Sequence, residues 1–170
     1  MNGKSLLGVL VATFVVLAAA AYAQSIRVPP QGSPALTVDL PPGWTSRVDE
    51  NGNVDITHPS HHAQMRIAMI VDDGIEATSL QELAKNMLNA AHFALYTRTE
   101  PAAIGGHQGQ AFYGSAVNSS GVQLTYKIVW VKLDARHAAT TARLAAVGAT
   151  TAETNSLDAL VSRVRVIGAK

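Results

Sequence analysis

The 170-residue chain contains no cysteine, few aromatic residues and little net charge, and each shortage excludes a class of protein. Without cysteine the chain forms no disulfide bond and carries no cysteine-linked lipid, so its fold depends on the hydrophobic core alone. Tyr, Trp and Phe together make up 5% of the residues. So low a share argues against a carbohydrate-stacking groove and against a platform for single-stranded nucleic acid.

The charged residues are few, balanced and scattered. The sequence has 13 Lys and Arg against 12 Asp and Glu, and no stretch concentrates one sign. Nucleic acids and anionic membranes both attract clustered basic residues, which displace counterions from phosphates or meet acidic headgroups. We therefore predict that neither a nucleic acid nor a membrane surface is the partner.

One long apolar run lies at the N-terminus. After Lys4, apolar and small residues with a single Thr extend from Leu6 to Ala21, and an Ala-x-Ala pattern ends at Ala23. This order is typical of a secretory signal peptide, whereas a spanning helix needs roughly 20 strongly apolar residues. We predict a signal peptide over residues 1–23, and hence a periplasmic or secreted bacterial protein without a membrane span after cleavage.

The remainder divides into a short lead-in and one domain. Residues 24–34 hold three prolines and few apolar residues, which predicts an extended lead-in. In the single domain, residues 35–170, strand patterns alternate with turn residues. Two segments have the apolar spacing of a helix, and each begins with a pair of capping residues. Ser79 and Glu82 cap a helix that starts at Leu80, and Thr150 and Glu153 cap a helix at about 152–166.

The stretch 122–133 predicts how these elements are layered. Alternate residues from Val122 to Trp130 are apolar, and the opposite face begins polar but turns apolar at Val129, Val131 and Leu133. A strand covered on one side only keeps a polar face throughout. We therefore predict an α+β fold, a mainly antiparallel sheet of about six to eight strands with a helix on each face.

The order of these elements, together with the segment 36–44 (LTVDLPPGW), resembles the PsbP-like family. In that family an alternating strand runs into a Pro-x-Gly-Trp segment. A hairpin such as that at Asn51-Gly52, a helix, a turn such as Ile104-Gly105-Gly106, three consecutive strands and a C-terminal helix follow. The resemblance implies an α/β/α sandwich and an accessory, assembly or adaptor protein that binds other proteins. It matches no functional residue of the family position by position.

Two groups of residues are candidates for a site. His58, His61 and His62 lie in one loop, and such imidazoles bind zinc or copper when another ligand joins them. A solvated polar loop explains the same residues. Trp44 follows a Pro-Pro-Gly turn and is either a binding residue or a core residue, because aromatic side chains on turns often serve recognition.

No catalytic pattern is present in the sequence. No Ser lies in a Gly-x-Ser-x-Gly frame, and no glycine-rich loop leads into a helix. We expect an exported accessory or binding module for a protein or peptide of the cell envelope, with neither catalysis nor a cofactor. Two alternatives stay open: a metal-binding protein that uses the histidine loop, and an enzyme whose site is assembled from distant residues.

Overall fold

The computed structural model describes residues 24–118 and 120–168, and the predicted signal peptide lies outside them. This part of the chain forms ten strands and two helices. The strands are β1 (Ser25–Val28), β2 (Ala35–Asp39), β3 (Thr45–Val48), β4 (Val54–Thr57), β5 (Ala63–Val71), β6 (Arg98–Ile104), β7 (His107–Val117), β8 (Gln123–Lys132), β9 (His137–Ala146) and β10 (Arg165–Ile167); the helices are α1 (Leu80–Ala90) and α2 (Thr151–Val161).

The strands form two antiparallel sheets. Seven make a large sheet in the order β3-β4-β5-β9-β8-β7-β6, and three make a small sheet in the order β1-β2-β10. The β3–β4 hairpin turns at Gly52, which has a φ of 77°, a conformation that glycine adopts without steric cost. The predicted α+β fold with a mainly antiparallel sheet is confirmed, whereas the small sheet was not predicted.

The two helices lie on opposite faces of the large sheet, as predicted. Helix α1 packs on β7 and β8, where Leu88 belongs to one buried cluster with Phe112. Helix α2 packs on β5 and β9, where Leu157 belongs to a second cluster that also contains Val129 and Val131. Neither helix has the length and hydropathy of a membrane-crossing segment.

The small sheet corrects two boundaries that the sequence suggested. Strand β1 lies within the predicted lead-in but pairs with β2, and its Ile26 and Val28 are buried. Helix α2 ends at Val161 rather than near 166, because residues 165–167 pair with β2 as β10. Strand β1 alternates polar and apolar residues over only four positions before Pro29-Pro30, and β10 has three residues, so their pairing with β2 defines them.

The small sheet also gives the α2 face a second cover. Leu36, Val38 and Leu40, in and just after β2, are buried in the same cluster as Leu157 and Met65. The α2 face of the large sheet is therefore covered by a helix and a sheet together, which makes its core the larger of the two.

Candidate functional site

Helix α1 covers only part of its face of the large sheet. A helix is about 10 Å wide, whereas seven adjacent strands span roughly 29 Å. Because α1 lies over β7 and β8 and reaches Ala138 and Ala142 of β9, the strands β5 and β4 beyond β9 are left without a helix above them. A groove runs along this side of α1.

We call this depression the α1 groove. It consists of three adjoining cavities of about 800, 230 and 410 Å³. The middle cavity shares lining residues with the cavity on either side of it, so the three adjoin along one side of α1. The shared residues are Gln64, Arg66, Met87, Ala91, Phe93 and Leu144.

Around Arg66 the two walls of the α1 groove differ in polarity, whereas in the 410 Å³ cavity Ala68 and Ile70 lie on the β5 side and Asn86 lies on the α1 side. Leu83 and Met87 of α1, with Leu144 of β9, form an apolar wall. Asn53, Asp55, Gln64 and Arg66, in and next to β4 and β5, form a polar wall. A groove with one apolar and one hydrogen-bonding wall suits a peptide segment, whose side chains and main chain need both.

Arg66 lies at the centre of the polar wall. Its Nε donates to Asp55 Oδ1 at 2.7 Å and its Nη2 donates to Asp55 Oδ2 at 2.8 Å, a bidentate arrangement that fixes the guanidinium. The hydrogen bond to Asp55 raises the pKa of Arg66. Asp49 Oδ2 lies 3.6 Å from Nη2. The charges at the centre of the groove are thus paired with one another.

Three histidines line the wide end of the α1 groove. His61 and His62 come from the loop between β4 and β5, and His92 follows α1. His61 and His92 have φ angles of 61° and 55°, the left-handed region, in which histidine is enriched among non-glycine residues. The sequence analysis missed His92, because only the packing of α1 beside the β4–β5 loop brings it to the other two.

The structure places His58 and Trp44 elsewhere. Their rings meet edge to face, with centroids 4.9 Å apart, and His58 Nδ1 lies 2.8 Å from Ser60 Oγ. Trp44 is partly buried against the core of the α2 face. Neither residue lines the α1 groove, and binding by Trp44 stays a prediction.

The histidine loop is attached to the start of α2. His62 Nδ1 lies 3.3 Å from Glu153 Oε1. A hydrogen bond from the Ser60 side chain and one from the Thr150 backbone lower the pKa of Glu153 from 4.5 to about 2. In residues 24–118 and 120–168 no three His, Cys, Asp or Glu side chains are placed to hold a metal ion. Zinc or copper binding by His58, His61 and His62 stays a prediction.

Comparison with known proteins finds similarity in structure. No family model matches the chain, and no curated protein matches it in sequence. The solution structure of cyanobacterial PsbP (CyanoP) from Synechocystis sp. PCC 6803 aligns with a TM-score of 0.59 and 11% identity over 98% of both chains. LpqN of Mycobacterium tuberculosis aligns with a TM-score of 0.55 and 13% identity, over 84% of this chain and 90% of that one. The Ran-binding protein Mog1p of Saccharomyces cerevisiae aligns with a TM-score of 0.50 and 11% identity, over 85% and 96%.

Proposed function

We propose, from the premise that the chain has a PsbP-like fold, that it is an accessory module that binds an extended segment of another protein in the α1 groove. The row of adjoining cavities beside α1, apolar at Leu83 and Met87 and polar around Arg66, carries this proposal. Two structural neighbours support it by their descriptions, Mog1p as Ran-binding and LpqN as involved in cell envelope biogenesis. A fold hosts many functions, so the groove and not the fold is the reason for assigning this role.

The dimensions of the groove set the length of the segment. Helix α1 has eleven residues and is about 16 Å long. An extended chain advances about 3.3 Å per residue, so about five residues lie alongside α1. Strand β5 is paired on both sides, so its main chain is not free to bind the segment. Polar side chains, such as Gln64 of β5 and Asn53 just before β4, meet the polar groups of the segment instead.

We propose binding without catalysis. Arg66 and Asp55, the charged pair at the centre of the groove, are held by each other in two hydrogen bonds. A general acid or base needs a proton that it can exchange with a substrate, and this pair commits both groups to a structural contact.

Two tryptophan substitutions one residue apart test the proposal. Ala91 is exposed and lines the wide and middle cavities, whereas Ala90 is exposed and lines none of the three. Peptides are selected on the wild-type protein from a displayed random library, and their binding is then measured by calorimetry. We expect Ala91→Trp to weaken binding about tenfold or more, or ~1.4 kcal/mol, because the indole fills the groove.

Ala90→Trp is the matched control, since it adds the same bulk to the outer surface of α1. We expect it to bind the selected peptides as the wild type does. Equal binding by the wild type and both variants would show that the peptides bind elsewhere, and would overturn the proposal.

We also propose that the protein acts in the bacterial periplasm or outside the cell. The signal-peptide pattern of residues 1–23 carries this part. Mass spectrometry of the protein recovered from producing cells should find an N-terminus at Gln24. Recovery of the chain with residues 1–23 still attached would contradict it.

A further inference from the structure

The large sheet has β6 at one edge and β3 at the other, and the two edges differ in their main chains. In β6, Ile104 and His107 pair directly on either side of the two-residue turn Gly105-Gly106. Residues that flank such a turn form a hydrogen-bonded pair, so alternate residues from Ile104 face β7 and the residues between them face outward. Pro101 is one of the outward residues and has no N–H. Proline at such a position prevents an edge from pairing with another strand.

The β3 edge has no proline. The Asp49 N–H donates to the Asn53 carbonyl oxygen at 2.9 Å, so Asp49 and alternate residues before it face β4, whereas Ser46 and Val48 face outward. The N–H and C=O groups of Ser46 and Val48 have no main-chain partner in the described part of the chain. An edge with such free groups can pair with an extended chain.

The charges beside this edge indicate one side chain of the added strand. Arg47 of β3, Asp55 of β4 and Arg66 of β5 are paired in register and form a row of alternating charge. Asp55 is bonded twice to Arg66, whereas Arg47 is exposed and forms no ion pair within residues 24–118 and 120–168. A strand added to β3 places a residue directly beside Arg47, where an acidic side chain is favourable.

The opposite face of β3 indicates an apolar side chain at the neighbouring position. Val48 is paired with the fully buried Val54, yet Val48 itself is 51% exposed. Successive side chains of a strand point to opposite faces. A residue next to the acidic one therefore lies beside Val48, where an apolar side chain removes both from water.

A second copy of this chain fits the edge poorly. The antiparallel register that pairs Ser46 of each copy with Val48 of the other uses all the free main-chain groups. The same register brings the two Arg47 side chains directly opposite each other, and like charges in that position destabilise a strand pair. The edge therefore suits a different chain.

We propose that β3 accepts an extended segment of another protein as an additional strand of the large sheet, with Asp or Glu beside Arg47 and an adjacent apolar residue beside Val48. Main-chain hydrogen bonds to Ser46 and Val48 supply affinity, and the two side chains supply specificity. This site is separate from the binding proposed above, because residues 46–48 do not line the α1 groove.

Two proline substitutions, one at each edge, test the added strand. Peptides are selected from a displayed random library on the Ala91→Trp variant, in which the indole occupies the groove, and calorimetry measures their binding. Ser46→Pro removes an outward N–H from β3, and Thr99→Pro removes one from the exposed outward side of β6. We expect Ser46→Pro to weaken binding about five- to tenfold and Thr99→Pro to leave it unchanged.

Arg47→Gln tests the specificity of the site. The selected peptides should contain Asp or Glu next to an apolar residue, and Arg47→Gln should weaken their binding about two- to fivefold. The same peptides with Gln or Asn in place of the acidic residue should bind the wild type and Arg47→Gln equally.

Amide hydrogen exchange of the Ala91→Trp variant gives a readout that does not depend on how Ser46→Pro folds. A saturating peptide should slow exchange at Ser46 and Val48 and leave Thr99 unchanged. Affinity unaffected by Ser46→Pro, or unchanged exchange at Ser46 and Val48, would overturn the inference. Peptides selected on the wild type that respond to Ala91→Trp alone belong to the groove, so either proposal can fail without the other.

Discussion

The two faces of the large sheet are closed to different degrees. The α2 face is covered by a helix and by the three-stranded sheet, whereas the α1 face has one helix over two of its strands. Strand β5 shows the contrast residue by residue, because Met65 and Ile67 are buried in the α2-face core while Arg66 lies in the α1 groove. A doubly covered face stabilises the fold, and a half-covered face retains room for a partner.

The largest expected effect is a loss of stability from a substitution in the core of the α2 face, which leaves the α1 groove unchanged. Leu157 is fully buried in α2, so Leu157→Ala removes its contacts and leaves a cavity that destabilises the protein by about 2–5 kcal/mol. Urea unfolding measures the loss. The selected peptides should bind the folded variant as they bind the wild type.

Leu95→Ala is the control for this substitution. Leu95 is 53% exposed, so its truncation should change stability by about 0.5 kcal/mol or less. Similar losses for Leu95→Ala and Leu157→Ala would contradict the assignment of stability to the α2 face.

A smaller effect arises on the α1 face at a glycine. A Cβ at Gly114 would clash with the hydroxyl and the ring of Tyr126, a buried aromatic side chain. Tyr126 also donates to the Ala94 carbonyl oxygen at 2.8 Å and stacks on Phe93, which lines the groove. Gly114→Ala should therefore cost about 1–3 kcal/mol and also weaken peptide binding.

Ser115→Ala, at the next and exposed position, should change neither stability nor peptide affinity. Thermal unfolding and calorimetry on both variants make this comparison. A Gly114→Ala variant with lowered stability and unchanged affinity would show that the groove is independent of the packing around Tyr126.

A third prediction concerns the charge of the groove. Asp55→Asn weakens the ion pair with Arg66. The Asp55 side chain is 39% exposed and the Arg66 side chain is 41% exposed, so the free energy of unfolding should fall by only about 0.2–1 kcal/mol. The released guanidinium should favour peptides that carry Asp or Glu. Calorimetry with matched acidic and neutral peptides tests this, and an unchanged preference would place Arg66 outside the binding surface.

The smallest expected effect is a change in thermal stability at low pH. The pKa of Glu153 is lowered from 4.5 to about 2, first by the Ser60 hydrogen bond, so folding favours the ionised carboxylate. Its contribution is complete above about pH 4.5 and is lost as the pH falls toward 2. The Tm difference between the wild type and Glu153→Gln should shrink across this window. A difference independent of pH would contradict the role of the charge.

Local sequence patterns predicted the elements better than their arrangement. The capping residue Ser79, the Asn51-Gly52 turn and the two-sided burial of β8 follow from short-range rules, and the structure has all three. The small sheet depends on two short strands that only their pairing with β2 defines.

The candidate site could not be predicted from the sequence for a related reason. His92 joins His61 and His62 only through the position of α1. The groove itself is a consequence of which strands a helix leaves uncovered, and periodicity carries no information about that choice.

Site-specific photo-cross-linking in the producing cell tests most directly whether the α1 face is the binding face. A photoreactive amino acid replaces Ala91 at the groove in one variant and Ala159, exposed on α2, in the other. We predict a discrete adduct with another protein from position 91 and none from position 159. Adducts from position 159 alone would contradict the account.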